Sequence, residues 1–414
     1  NVDQRTLCLN HFTDNMSDIL EDHTSEIIRK IAIGNNLSDW LYTQHKFESI
    51  AQNYFGIIVP VVLSGRRDGK EVKIHLVLKL APTDERFRVS GAVTAMFSRE
   101  IFVYSVILEA YRQLQKHFPA PSRYVTPHCY LVQSEYCNEV IAMQDMHVDG
   151  YKPYIHEMFL DLDHITVSLK SLAKFHALSF ILRDKKPALY ADLSAVCLPL
   201  TEQSNKRYID IMRDRLGKAI EFFYNTEYIP LLEELRRGCG KFFELANESV
   251  HQTCLCHGDM WKENILYKYE DNKPVSACLI DYQASRLCSP AFDTLYLIVS
   301  STNTDLRQKH YQHLLDVYYQ MFDQFLYEAG LKSQEVYSRQ MFDSDLRVVG
   351  PASLITANTA LWLSNGLQEE GHVRSKHIWS KIEEKEAAIA KYKSIIKAII
   401  DDLNSYGYLG IKSV

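Results

Sequence analysis

No run of lysine and arginine stands anywhere in the 414 residues; 46 basic and 52 acidic side chains are mixed along the chain, with a formal net charge of −6. That mixture argues against a nucleic-acid footprint or a basic membrane-surface patch. Metal-type cysteine spacing is also missing. The nine cysteines are scattered, and Cys254 and Cys256 stand too close together for a C-x-x-C pair. Reduced thiols in a reducing compartment, the cytoplasm, are the expectation. Long apolar runs are absent: the stretch around Ile57 to Leu63 contains Pro60 and is far too short to span a bilayer. No signal peptide is visible, and the sequence opens on Asn1 without Met. Sequons occur at Asn15, Asn36 and Asn247, but such triplets are common by chance. No internal repeat or low-complexity segment appears, and no protein partner is implied.

What is present falls into two textures. From about residue 45 to 80 the chain reads as strands, IIVPVVL and VKIHLVLKL about a turn at GRRDGK, with a two-residue alternation through Val72, Ile74, Leu76 and Leu78. A helix is predicted over Val93–Lys116, because Phe97, Ile101, Tyr104, Leu108 and Tyr111 share one face. Tyr130–Ser134 and Val140–Met143 read as further strands. Beyond about 150, long helices are predicted over Leu160–Leu182, Asn205–Tyr224, Tyr228–Asn247, Asp305–Ala329 and Lys381–Leu403. The expected fold class is α+β with two lobes. Residues 1–143 form a small strand-rich lobe with an N-terminal helical extension, and 144–414 form a larger helical lobe.

One strand-like stretch interrupts the helical half: LCHGDMWKENILYKYEDNKPVSACLIDYQ, residues 255–283. Two apolar runs flank the turn-rich EDNKP, the composition of a hairpin. A hairpin returns the chain to its start, so Asp281 should come back beside Asp259 and Asn264. Their oxygens are hard ligands, suited to Mg²⁺ rather than zinc. An Asp five residues before an Asn is also the spacing of kinase catalytic loops, where the Asp receives a hydroxyl proton and the Asn holds metal. Taken alone, Asp and Asn beside a hairpin are ordinary turn residues.

A second pair gives the first its meaning. Lys79 ends the apolar strand HLVLKL, where a buried ammonium needs a partner, and Glu100 lies on the following helix beside its apolar face. A strand lysine followed by a helix glutamate is the arrangement that anchors ATP phosphates in kinase folds. The bland alternatives are a snorkelling edge lysine and a solvated helix acid.

HGDMWKEN (His257–Asn264), DYQ (Asp281–Gln283) and SPAFDTLY (Ser289–Tyr296) resemble the motifs of the ecdysteroid kinase-like family. That family belongs to the choline kinase and aminoglycoside phosphotransferase branch of the protein-kinase-like fold. Its E-I-x-x-Y helix is matched by Glu100–Tyr104, its hinge by Gln144, Asp145 and Met146, and its A-x-F-H-A helix by Ala173–Ala177. The resemblance runs in order from about residue 45 to 300. It departs at the nucleotide loop, where Gln52, Asn53, Tyr54, Phe55 and Gly56 stand for E-N-Y-A-S, at Tyr282 for Phe, and at Gln144 for the hinge Glu. No G-x-G-x-x-G is present, and the few residues between Asp281 and the SPAFD helix leave no room for an activation segment, so protein-kinase activity is not expected.

The resemblance implies an ATP- and Mg²⁺-dependent kinase acting on a hydroxyl of a small lipophilic alcohol, in the best-known case the 22-hydroxyl of an ecdysteroid. Asp259 would act on the acceptor proton, Asn264 and Asp281 would hold metal, and Lys79 with Glu100 would hold phosphates. Asn53 and backbone groups of Gln144 and Met146 would serve the nucleotide. A choline- or aminoglycoside-type kinase is the alternative within enzymes. A non-catalytic nucleotide or steroid binder is the alternative outside them, against which stand the three polar residues Asp259, Asn264 and Asp281. His176 reads as a core histidine bonded to the catalytic-loop backbone, His257 as a residue that orients that loop, and Ser289 with Pro290 as a helix start. Asp293 suits a first helical turn and by resemblance also braces the loop; Lys262 reads as a solvated loop lysine. Trp261 is either core or a wall of the acceptor site. Phe292, Leu295, Tyr296, Leu354, Ile355, Leu361 and Trp362 are candidates for an apolar acceptor cleft, with core as the plainer reading of each.

Overall fold

The computed structural model describes residues 23–45, 56–90, 92–368 and 379–410. Asn53 and the acids Glu369 and Glu370 lie outside the described residues.

The first lobe is built on an antiparallel sheet in the order β1-β2-β3-β5-β4. Its strands are β1 (Ser38–Gln44), β2 (Ile57–Arg67), β3 (Lys70–Leu80), β4 (Cys129–Gln133) and β5 (Val140–Gln144). The alternation in β3 explains its two faces. Ile74, Leu76, Leu78 and Leu80 pack with Ile27, Ile28 and Ile31 of helix α1 (23–34). Lys79 therefore points to the opposite face, toward the interior of the molecule. The turn between β2 and β3 places Asp68 and Gly69 at positive φ, the geometry a tight hairpin prefers. Strand β1 had no expectation in the sequence: SDWLYTQ is a mostly exposed edge strand with no apolar alternation to announce it.

On the inner side lie α2 (Glu85–Ser90), α3 (Val93–Phe102) and α4 (Leu108–Leu114). The last two form the single helix expected over Val93–Lys116, joined by a π-helical turn at Val103–Ile107. Such turns insert one extra residue and are frequent at functional sites. After β5, a 3₁₀ turn (Met146–Asp149) and strand β6 (Tyr151–Pro153) lead into the helical lobe.

That lobe contains α5 (Leu162–Lys185), α6 (Pro187–Val196), α7 (Glu202–Phe222), α8 (Ile229–Arg237) and α9 (Cys239–Glu248), then strands β7 (Cys254–Cys256), β8 (Ile265–Glu270), β9 (Lys273–Leu279) and β10 (Arg286–Cys288). Helices α10 (Pro290–Ser301), α11 (Thr304–Glu328), α12 (Ser333–Val336), α13 (Arg339–Ser364) and α14 (Ile382–Ser405) complete it. The single helix expected over Tyr228–Asn247 is two, divided at Gly238. Helix α5 is long and apolar enough to cross a bilayer, but most of it is buried in this lobe: Leu169, Leu172, Phe175 and Leu178 belong to its main core.

The β8–β9 hairpin forms as the composition predicts. Asp271 and Asn272 both take positive φ at its turn, and β6 pairs along the outer side of β8. Ile265 is opposite Leu279, and Ile280 N–H donates to the Asn264 carbonyl at 3.0 Å. That register carries Asp281 back to the start of the hairpin.

Candidate active site

The structure gathers Lys79, Glu100 and Asp281 into one ion cluster. Lys79 Nζ lies 2.7 Å from Glu100 Oε2 and 2.8 Å from Asp281 Oδ1. Burial would push the Lys79 ammonium down, but Asp281 and Glu100 outweigh it and its pKa is raised. Glu100 is pushed up to about 7 by burial, with Asp281 adding to the rise and Lys79 opposing it. The lysine stays charged, because two carboxylates face one ammonium. Three points on the α3–α4 helix hold the segment after the hairpin. Glu100 acts through Lys79, Tyr104 Oη accepts from Asp281 N–H at 3.3 Å, and Arg99 donates to the Gln283 carbonyl at 3.1 Å. Asp281 itself is left-handed, φ 68°, a conformation Asp tolerates better than most residues and one often kept at functional sites.

Asp259 and Asn264 form the other half. Asn264 Nδ2 donates to the Asp259 carbonyl at 2.8 Å and approaches its Oδ2 at 3.2 Å. A carbonyl only accepts, so the Asn264 amide orientation is fixed and its Oδ1 is left without a partner among the described residues, as is Asp281 Oδ2. Tyr296 donates to Asp259 Oδ1 at 3.2 Å. Burial raises the Asp259 pKa and Asp281 raises it further, while His257, Tyr296 and Asn264 oppose.

The loop that carries Asp259 is held from below. Asp293, fully buried in the first turn of α10, accepts from His257 N–H at 2.5 Å and from Gly258 N–H at 3.0 Å. Burial would raise Asp293, but His176, His257 and Arg286 reverse this and its pKa is lowered. His257 spans the loop: Nε2 donates to the Ile280 carbonyl at 2.9 Å and Nδ1 faces Asp259 N–H. Ser289 caps α10 through Ala291 N–H, with Pro290 in the first turn. His176 is a core histidine, but its partners differ from the expected loop backbone. They are Tyr318 Oη at 2.7 Å and Asp293 Oδ2 at 3.2 Å, so it reaches the loop through the Asp293 carboxylate.

Gln144 bonds backbone N–H to the His128 carbonyl, and its side chain is occupied by Asp149 and His128 N–H. Met146 is buried with Tyr151, Leu266 and Cys278, and its N–H begins the 3₁₀ turn. Trp261 is buried. The Lys262 side chain is only 14% exposed and pairs with Glu263, so it is not the solvated lysine expected.

The apolar candidates for the acceptor cleft are core. Phe292, Leu295, Leu354, Ile355, Leu361 and Trp362 are all buried in the helical interior. Of that group Tyr296 alone bonds a candidate catalytic residue, Asp259. A recess beside the catalytic loop has other walls: Met96 and Arg99 of α3, the 198–211 segment with Leu198, Leu200 and Tyr208, and Arg286 of β10. Arg286 donates to the Gly258 carbonyl, and the Tyr208 and Asp259 charges influence one another. Sequence reasoning missed Arg286 and Tyr208, since no local spacing links them to the HGD loop.

His176, Cys254 and Cys256 come together at metal-like distances behind the loop. They do not fit a metal. Both His176 nitrogens are engaged, and burial holds both thiols protonated, with Cys256 donating to the Cys288 and Ser289 carbonyls.

Residues 51–331 match the model of the ecdysteroid kinase-like family. The chain belongs to that family, and it is a small-molecule kinase of the protein-kinase-like fold. It is also similar to a microcompartment-associated aminopropanol kinase, at 13% identity over 93% of this chain and 99% of that one, TM-score 0.44. A choline/ethanolamine kinase family protein from Mesorhizobium loti gives 14%, 93%, 99% and 0.42. The GDP and kanamycin complex of APH(2″)-IIia gives 14%, 87%, 94% and 0.42. No curated protein matches the chain.

Proposed function

We propose that the chain uses ATP and Mg²⁺ to phosphorylate a hydroxyl of a lipophilic small molecule, an ecdysteroid in the first instance, in the cytoplasm. Asp259 accepts the acceptor hydroxyl proton as the new O–P bond forms and the bond to the nucleotide leaving group breaks. Lys79, held by Glu100, faces the phosphates; backbone groups of Gln144 and Met146 face the base; Asn53 serves the nucleotide loop. The donor set fits a hard cation, because Asp281 Oδ2 and Asn264 Oδ1 are free oxygens on fixed side chains. Mg²⁺ bound there would neutralise developing charge on the phosphates. The eight described cysteines are all unpaired, in keeping with a reducing compartment.

Support for an uncharged acceptor comes from the charge of the recess beside the loop, which is narrow, about 30 Å³, and so offers a rim of the acceptor site rather than room for a whole steroid. The recess walls include Met96, Leu198, Pro199, Leu200 and Ile211, and its charged groups are Arg99, Arg207 and Arg286, with no carboxylate among the lining residues. A quaternary ammonium is held by a cage of aromatic faces or by carboxylates; the recess has one aromatic, Tyr208, and its three arginines repel a cation. A lipophilic alcohol needs apolar walls with a few polar groups to orient it. The test is a panel of ecdysteroids, choline and aminoglycosides incubated with Mg²⁺-ATP and read by mass spectrometry. A phosphate added to an ecdysteroid bearing a free side-chain hydroxyl, and none to choline, is expected. Turnover of choline with no steroid modified would overturn the acceptor assignment.

A further inference from the structure

Behind the hinge, on the far side of α5 from the helical core, lies a cavity of about 400 Å³ that the kinase chemistry does not use. It is framed by the segment after α4 (Ala120–Val125), one face of α5, Tyr151 and the β8–β9 hairpin. Four of its lining side chains are cations: Arg123, Lys170, Lys174 and Lys268, against the single acid Glu270. None of the four forms an ion pair with a carboxylate among the described residues. Arg123 donates to the Phe118 and Lys116 carbonyls, Lys174 reaches the Arg123 carbonyl at 3.5 Å, and Lys268 stands over the Tyr151 ring. Burial lowers the Lys174 pKa, and the Lys170 charge lowers it further against the pull of Glu328. In a chain whose net charge is −6, four cations around one cavity with Glu270 as the only carboxylate in its lining is an unbalanced arrangement.

The cavity has apolar ground as well. Val125, Val167 and Val275 line it, and Val275 is 45% exposed on a strand that otherwise buries its apolar side chains. A bare phosphate would fill a small part of 400 Å³ and leave these valines in water. The volume is that of a small-molecule site, and lysine and arginine are the side chains that bind phosphate.

We propose that this cavity is a second ligand site for a small organic phosphate, its phosphate among Arg123, Lys170, Lys174 and Lys268 and its uncharged body against Val125, Val167 and Val275. The site is independent of the acceptor assignment, since no residue is common to its lining and the recess beside Asp259.

The test is isothermal titration with phenyl phosphate as probe, with the nucleotide site filled by a non-hydrolysable ATP analogue and Mg²⁺. One equivalent should bind, more tightly than inorganic phosphate, and the affinity should fall as salt rises. The double variant Lys170→Gln/Lys174→Gln should weaken binding at least tenfold with kcat unchanged. Lys268→Gln, from the opposite wall, should weaken it independently if the double variant folds poorly. No heat at millimolar probe, or heat unaltered by either variant, overturns the proposal. Inorganic phosphate binding as tightly as phenyl phosphate removes the organic body from it. An acidic peptide bound in preference to both probes would make the cavity a protein-docking groove instead.

Discussion

Lys79 Nζ stands 2.8 Å from Asp281 Oδ1, although the two residues are 202 positions apart in sequence. One contact thus joins the strand of the first lobe to the end of the hairpin in the second, and Glu100 completes it from α3. Removing the ammonium leaves the buried Glu100 carboxylate facing the part-buried Asp281 without a counter-ion. Lys79→Met should therefore lower kcat by roughly 10²-fold or more, as loss of a charge-stabilising donor does. It should also cost about 3–5 kcal/mol of stability through the uncompensated charges. Steady-state kinetics and chemical denaturation check both. Near-normal turnover would take Lys79 out of the phosphate site.

Asp259 and Tyr296 make a prediction in pH. The Asp259 pKa is raised by burial and by Asp281, and a base must be ionised to act. The acidic limb of kcat/KM should therefore lie above the usual carboxylate range, with activity lost as pH falls through it. The Tyr296 hydrogen bond lowers this pKa, so Tyr296→Phe should move the acidic limb further up while leaving the plateau rate largely intact. Asp259→Asn should remove roughly 10²–10⁴-fold of the rate with little change in nucleotide affinity. A Tyr296→Phe profile superimposable on wild type would separate Asp259 from the acidic limb.

Asp281→Asn tests the metal assignment without disturbing the turn, because Asn also tolerates the left-handed backbone found at φ 68°. A ligand that binds only the folded state stabilises it by about 2.7 kcal/mol at a hundredfold excess over Kd. The wild-type melting temperature should rise further when Mg²⁺ is added to ATP than with ATP alone. In the variant that increment should vanish. An undiminished increment places the cation elsewhere.

The parts of this site that were legible in the sequence share one property: their geometry is local or periodic. Period-two burial put Lys79 on the cleft face of β3, helical spacing put Glu100 and Tyr104 on one side of α3 and its continuation, and a hairpin composition returned Asp281 to Asn264. Long-range partners left no such trace. Arg286 reaches the Gly258 carbonyl, and Tyr208 lies near Asp259, through tertiary packing alone. The candidates on α10 and α13 took the plainer of their two readings, core, and the sequence could not decide between core and cleft for a physical reason. All of α10 and the 349–362 part of α13 are buried on every side, so composition could not distinguish a cleft from a core there. The recess walls at 198–211 lie partly in an irregular stretch, where neither period applies.

Gly258 gives the sharpest test of how the loop is held. Its φ is +81°, and a Cβ built there would sit 2.2 Å from the Ala284 carbonyl oxygen and 2.5 Å from Arg286 Nη1. The carbonyl is backbone fixed between the hairpin and β10, so it has little room to retreat. Gly258→Ala should therefore displace the loop, weaken the two bonds that its N–H groups donate to Asp293, and destabilise the chain by at least about 2 kcal/mol. Asn264 and Asp281 are anchored by the hairpin register rather than by Gly258, so nucleotide affinity should change less than kcat. Gly69→Ala is the matched control. Gly69 has nearly the same φ, +76°, but nothing lies within 4 Å of its missing side chain. That variant should show only the backbone cost, about 1–2 kcal/mol, with kinetics unchanged. If both alanine variants lose stability and activity alike, positive φ alone accounts for the effect and the close packing of Ala284 and Arg286 on the loop does not position Asp259.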